Sequence, residues 1–229
     1  MLTKKKKLSK KEIKEDKLIA FYYKSYAYLT ENRQRLMMYS GGLVVLIVLI
    51  IFYLNHRAQQ NKEAGVQLAR VMNLYDNGAY LEAIEGQAGT NVLGLKKIVD
   101  QYGSTENGEI AKIYIANSYN YLGKSDEALK YFEDYDGGIN MYKAAALAGA
   151  AGCYASKNNY EKAAELYKKA AHVSKDDVLN PDYLLHAGIN YLNAGKAKEA
   201  KSMFDQIKKD YATSSAMRET GKYLAQVQE

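Results

Sequence analysis

The sequence predicts an all-α protein, with one N-terminal transmembrane helix followed by a solenoid of stacked helical hairpins. Three observations predict this. Residues 36–54 carry no charge and are dominated by Leu, Ile and Val. Beyond them, alanine is abundant, Pro181 is the one proline, and short breaks fall at 76–78, 103–108, 123–125, 137–138, 157–159, 176–181 and 194–195. That is the pattern of helices joined by turns. Finally, three segments of this region repeat one order of small, aromatic and turn residues, as expected when one supersecondary unit is reused.

Residues 1–35 read as a basic tail on the cytoplasmic side. Residues 1–40 hold eleven Lys/Arg against four acids, a net +7, while the rest carries 21 bases against 22 acids, a net −1. The body is therefore neutral. Nucleic-acid binding needs clustered cations to neutralise phosphates, so no nucleic-acid partner is expected. Within the tail, "EDKLIAFYYKSYAYLTENRQRL" sets Leu18, Phe21, Tyr22, Tyr26 and Leu29 at helical spacing, with Lys17, Lys24 and Arg33 among the polar positions. A basic, tyrosine-rich amphipathic helix can lie in the inner-leaflet interface against membrane lipids. Such a helix either only sets orientation or docks a membrane partner.

Residues 36–54 are the expected span. A nineteen-residue helix is about 28 Å long, against a hydrocarbon core of about 30 Å. The eleven Leu, Ile, Val and Phe residues between Leu43 and Leu54 favour insertion by about 3–7 kcal/mol. A core helix of a soluble protein would show a polar stripe, and this run has none. A cleaved signal fits poorly, because residues 1–35 precede the run and "LNHRAQQ" offers no small-x-small site. The excess of bases before the run places the N-terminus in the cytoplasm and residues 55–229 outside it. The expected location is a bacterial inner membrane, single-pass, with residues 55–229 in the periplasm.

Residues 55–105 read as a linker helix and a degenerate repeat. "NLYDNGAYLEAIEG" supplies Gly78 and Ala83, "LKKIVDQYGST" ends its second helix, and about eight extra residues fall around "GQAGTN", 86–91. Three repeats then fill 106–211. In "ANSYNYLGKSDEALKYF", "AGCYASKNNYEKAAELY" and "GINYLNAGKAKEAKSMF", a small residue (Ala116, Ala151, Gly188) precedes a tyrosine by three (Tyr119, Tyr154, Tyr191). A turn residue (Gly123, Asn158, Gly195), an alanine (Ala128, Ala163, Ala200) and an aromatic (Phe132, Tyr167, Phe204) follow at fixed steps, with 35 and then 37 residues between repeats. Small residues let two helices cross closely, the aromatics fill the wedge between hairpins, and Gly or Asn supplies the positive φ that ends the first helix. This order resembles the tetratricopeptide repeat, which implies a tetratricopeptide-repeat α-solenoid. The sequence departs from it at the large aromatic position early in the first helix, where Lys112, Leu147 and Leu184 stand. Residues 212–229 read as a capping helix, because the last repeat cannot cover its own apolar face.

No constellation for catalysis, cofactor or metal is found: no His-x-x-x-His, Cys-x-x-Cys, P-loop or Gly-x-Ser-x-Gly pattern occurs. The chain is therefore not expected to be an enzyme or to take a cofactor, metal or small-molecule substrate. Cys153 reads as packing, and His56, His172 and His186 read as interfacial, helix-ending and groove or core residues. What remains is protein binding on the concave surface that first helices line in such stacks. Repeat phase places Ile113, Asn117, Asn120 and Tyr121 there in the first repeat. Gly152, Ala155 and Ser156 follow in the second, and Leu185, Ile189 and Asn193 in the third. The alternative is that this face is only solvated, or packed on the membrane-proximal helix.

The whole layout, from the basic tail and "DKLIAFYYKSYAYLTENRQRL" through the span to "LKKIVDQYGSTENGEIAKIYIANSYNYLGK", resembles the YfgM-like proteins, in the version of Bacteroidetes-type bacteria. That resemblance implies an ancillary subunit of the Sec translocon working beside a membrane-anchored periplasmic chaperone. The partners it implies are translocon subunits, that chaperone or exported chains, and it carries no catalytic residue. The expected function is a non-catalytic envelope adaptor for Sec-dependent translocation. The second reading is a scaffold for another envelope complex, in outer-membrane assembly or division.

Overall fold

Where the sequence breaks its helical periodicity, the chain turns. The computed structural model describes residues 10–227, so the Lys4–Lys7 run lies outside the described residues, as does the side chain of Leu18. The chain divides into two units, Met1–His56 and Arg57–Glu229.

The first unit holds α1 (Lys10–Glu31) and the opening part of α2 (Arg33–Asp76). Asn32 alone separates them; its side-chain amide donates to the Tyr28 carbonyl at 3.0 Å. An apolar stretch of α2 reaches a mean hydropathy of 2.4, with none of that window buried within the chain. The helix is long and apolar enough to cross a membrane.

The second unit begins with the last turns of α2 and continues through α3 (Tyr80–Glu85), α4 (Leu95–Tyr102), α5 (Glu106–Tyr121), α6 (Ser125–Glu133), α7 (Asn140–Ser156), α8 (Tyr160–Ala170), α9 (Asn180–Asn193), α10 (Ala197–Asp210) and α11 (Ser215–Leu224). Gly123, Asn158 and Gly195 sit at φ 73°, 59° and 72°. This is the left-handed turn that closes α5, α7 and α9. Gly78, at φ 77°, does the same for α2. The alanines five residues on, Ala83, Ala128, Ala163 and Ala200, are all fully buried, so each hairpin closes on a methyl-sized contact. The extra residues lie in the 86–94 loop, which parts α3 from α4 and is closed by an antiparallel bridge between Gly86 and Leu93.

Packing explains the small residues. A Cβ on Gly188 would meet the Phe204 ring at 2.3 Å, and one on Gly149 would meet Phe132 at 2.3 Å. Glycine is therefore what lets α9 approach α10, and α7 approach α6. Buried residues form two clusters. One runs from Leu68 and Val71 through Ile84, Ile98 and Phe132 to Cys153 and Leu166; the other gathers Tyr183, Leu184, Phe204, Ile207 and Ala216. Leu147 and Tyr167 pack against both. α11 closes the second cluster, with Tyr223 stacked on Phe204 at 5.8 Å.

Lys112 accounts for the missing large aromatic. It is 8% exposed, and its ammonium lies 2.8 Å from both the Glu109 and Asp134 carboxylates and 2.9 Å from the Asp134 carbonyl. Burial pulls its pKa down, but the bonds to Asp134 and Glu109 outweigh this and raise it. Glu109 in turn accepts the Asp136 backbone N–H at 2.8 Å. An ion-pair network thus joins α5 to the α6–α7 loop where an aromatic ring would otherwise fill space.

Candidate protein-binding face

Where the end of α2 meets α3, α5 and α7, the chain gathers tyrosines. Tyr75 ends α2, Tyr80 opens α3, Tyr114 and Tyr121 belong to α5, and Tyr142 lies in the first turn of α7. Tyr80 stacks on Tyr121 with centroids 4.7 Å apart and planes at 14°. Tyr75 sets its edge against Tyr80 at 5.6 Å and against Tyr114 at 5.1 Å. Such offset and edge arrangements add to burial because each ring's positive rim meets a negative face. Tyr121 is 65% exposed beside exposed Leu122, while Tyr75, Tyr80, Tyr114 and Tyr142 are half-buried, so the shelf opens to solvent at Tyr121.

The shelf is made of rings and amides, with the Asp76 carboxylate at its edge near Tyr114. Burial, together with Tyr121, pushes the Tyr75 phenol up to about 12, while the Asn117 amide acts in the opposite sense. Tyr114 is raised by burial and then by Tyr142. The Tyr75 and Tyr114 hydroxyls therefore stay protonated at neutral pH, each able to donate and accept. Rings edged by hydroxyls and the amides of Asn117 and Asn120 suit an extended polypeptide, which offers apolar side chains and backbone hydrogen-bonding groups together.

Of the residues placed here by repeat phase, Asn117 is half-buried, and Asn120 and Tyr121 are exposed on α5. On α7, Gly152 and Ala155 are half-buried and Ser156 is exposed; a Cβ on Gly152 would lie 3.5 Å from the Tyr167 hydroxyl of α8. On α9, Ile189 is half-buried and Asn193 exposed. Ile113 and Leu185 differ from expectation. They are 3% and 5% exposed and belong to the two cores, because α5 and α9 are each covered on both flanks by neighbouring helices. Repeat phase missed Tyr75, Tyr80, Tyr114 and Tyr142. His186 stacks on Tyr167 at 5.1 Å, and the His172 Nδ1 lies 2.6 Å from the Lys168 carbonyl at the end of α8. Among the described residues, no three His, Cys, Asp or Glu side chains gather as metal ligands would.

Comparison with known proteins agrees with the helical-hairpin fold. Residues 182–214, which include most of α9 and all of α10, match the Tetratricopeptide repeat family profile. The nearly identical TPR-like repeats of a Podosopora anserina chain designated a kinesin light chain superpose with a TM-score of 0.55 at 15% identity, over 73% of this chain and 86% of that one. The fold is a tetratricopeptide-type repeat solenoid. A single-substitution variant of the same repeats gives a TM-score of 0.53 at 15% identity, covering 73% of this chain and 94% of that one. No curated protein matches the chain at a significant level. In chain order α5–α6, α7–α8 and α9–α10 are successive helical hairpins, and α11 packs on α10 and α9. The end of α2, α3 and α4 precede them. The tyrosine shelf bridges the end of α2 and α3 to the α5–α6 hairpin.

Proposed function

We propose that this protein is a membrane-tethered, non-catalytic adaptor at the periplasmic exit of a Sec-type translocon, holding a chaperone or an exported chain by its repeat face. Several features support the reading. The apolar stretch of α2 tethers the repeats, so weak contacts suffice at high effective concentration. The cationic excess ahead of the span favours an N-in orientation. The tyrosine shelf with Asn117 and Asn120 carries most weight: its rings are half-buried against one another and open to solvent at Tyr121 and Asn120. The resemblance in layout to translocon-associated anchored repeat proteins supplies the choice of partner.

The test is photocrosslinking in native membranes from positions 117, 120 and 121, followed by mass spectrometry of the trapped species. Channel subunits, a periplasmic chaperone or exported chains are expected. Trapping only outer-membrane assembly or division components would replace the adaptor with an envelope scaffold. Protease added to intact spheroplasts should reach residues 55–229; protection of that region would reverse the topology and end the proposal.

A further inference from the structure

We propose that α1 lies in the plane of the membrane surface and binds anionic phospholipid, with its aromatic side in the interface and its lysines among the phosphates. This inference rests on the reading of residues 36–54 as a span, but not on the identity of any protein partner.

The surface of α1 carries the argument. Ile19, Phe21, Tyr22, Tyr23, Tyr26, Tyr28 and Leu29 are each 54–71% exposed, with no described residue of the chain covering them. Repeat phase in an α-helix spreads these positions over well over half the circumference. Lys17, Lys24 and Glu31 share the remaining strip with Ala20 and Ala27. A helix that docks in a protein groove buries a narrow stripe at i, i+3, i+4 and i+7. An arc this broad fits a fluid apolar medium that wraps the helix. Its chemistry is that of an interface rather than a hydrocarbon core, because four of the five aromatics are tyrosines. A tyrosine sets an apolar ring at the acyl boundary and a hydroxyl at headgroup level. Thr30, which interrupts the arc, satisfies its own hydroxyl by donating to the Tyr26 and Ala27 carbonyls at 3.0 and 2.8 Å, so it costs little there.

Charge and connection select the lipid. Residues 1–31 carry nine lysines against four acids, a net +5, and each cation held near the surface adds attraction to an anionic leaflet. Only Asn32 separates α1 from α2, and the uncharged run starts at Leu36. The helix is thus held at the bilayer surface, where even modest attraction keeps it bound.

The full-length chain tests this in a Cys153→Ala background, with single substitutions Tyr22→Cys, Tyr26→Cys and Lys24→Cys carrying spin labels. It is reconstituted in vesicles of phosphatidylethanolamine with phosphatidylglycerol and, in parallel, of phosphatidylcholine alone. Collision with oxygen should exceed collision with a water-soluble nickel chelate at positions 22 and 26, and the reverse should hold at 24. Removing the anionic lipid or adding salt should weaken this contrast severalfold. Equal access at all three positions in both vesicle types would overturn the proposal. So would protection seen in native membrane vesicles but not in pure lipid, which would assign the helix to a protein. Because the readout needs lipid alone, its failure leaves the adaptor reading standing, and loss of the crosslinks described above leaves this one standing.

Discussion

At Tyr75, packing and ionisation are one quantity. Burial and Tyr121 hold its phenol up to about 12 in the folded chain, against about 10 when unfolded. Between roughly pH 10 and 12 the folded form therefore binds more protons than the unfolded one, and stability falls as pH rises; below about pH 10 the contribution is complete. Tyr183, also pushed up to about 12 by burial, acts in the same window. Urea titrations across this range should show the decline, and Tyr75→Phe should lessen its slope; an unchanged slope would show that Tyr75 is not responsible. Gly188 makes the matching statement about space. Its replacement by alanine drives a methyl into the fully buried Phe204 ring and is expected to cost about 1–3 kcal/mol, read as a lower urea midpoint. Both Gly188 and Phe204 stand out in the sequence because they sit at repeat positions. Gly149, which makes the same contact with Phe132, does not, since nothing in its spacing marks which helix it faces. Ile113 and Leu185 mislead for the same reason: repeat phase gives a direction around a helix, while coverage by the next helix decides whether that direction is open.

At the scale of elements, the C-terminal half of α2 is joined to α5 by a shared cap. Asn61 Oδ1 accepts the Asn107 backbone N–H at 2.8 Å and its side-chain amide at 3.0 Å, while Thr105, the N-cap, accepts the Gly108 N–H at 3.2 Å. Two of the free N–H groups at the start of α5 are thereby satisfied, one of them from another helix. Asn61→Ala is expected to cost about 1 kcal/mol, and limited proteolysis should then release the region before residue 78 faster; unchanged cleavage would show that the cap does not hold α2. Helix ends were legible because Gly78, Gly123, Asn158 and Gly195 announce them, each adopting the positive φ its residue type favours. The capping pair was not legible, since Asn61 and Asn107 are far apart in sequence and neither belongs to a repeat signature. The tyrosine shelf escaped for a related reason. Tyr75 and Tyr80 precede the three aligned segments, in a stretch where Val71 stands seven residues before the Gly78 turn in place of a small residue, and the pattern that would have aligned them with Tyr121 is lost.

For the molecule as a whole, stability should be graded along the stack. The two buried clusters share only partly buried Leu147 and Tyr167 among the described residues, and repeat arrays behave as chains of nearest-neighbour interfaces. The C-terminal cluster is the smaller and depends on α11 for its cover, so α9–α11 should open before α5–α7. Amide exchange of the full chain in mild urea should show this order, with α9 amides exchanging at lower urea than those of α5; simultaneous exchange would mean one cooperative core. Composition and hydropathy made the apolar helix and the neutral body readable at this scale. They could not show where one core ends and the next begins, because that boundary runs through two ordinary-looking side chains.

Cys153 is 1% exposed within the N-terminal cluster, and burial raises its thiol pKa, keeping it the unreactive form. It is the only sulfhydryl in the chain. The protein therefore carries a native stopwatch: an alkylating dye reports how often the deeper half breathes, with no engineering and no background from a second thiol.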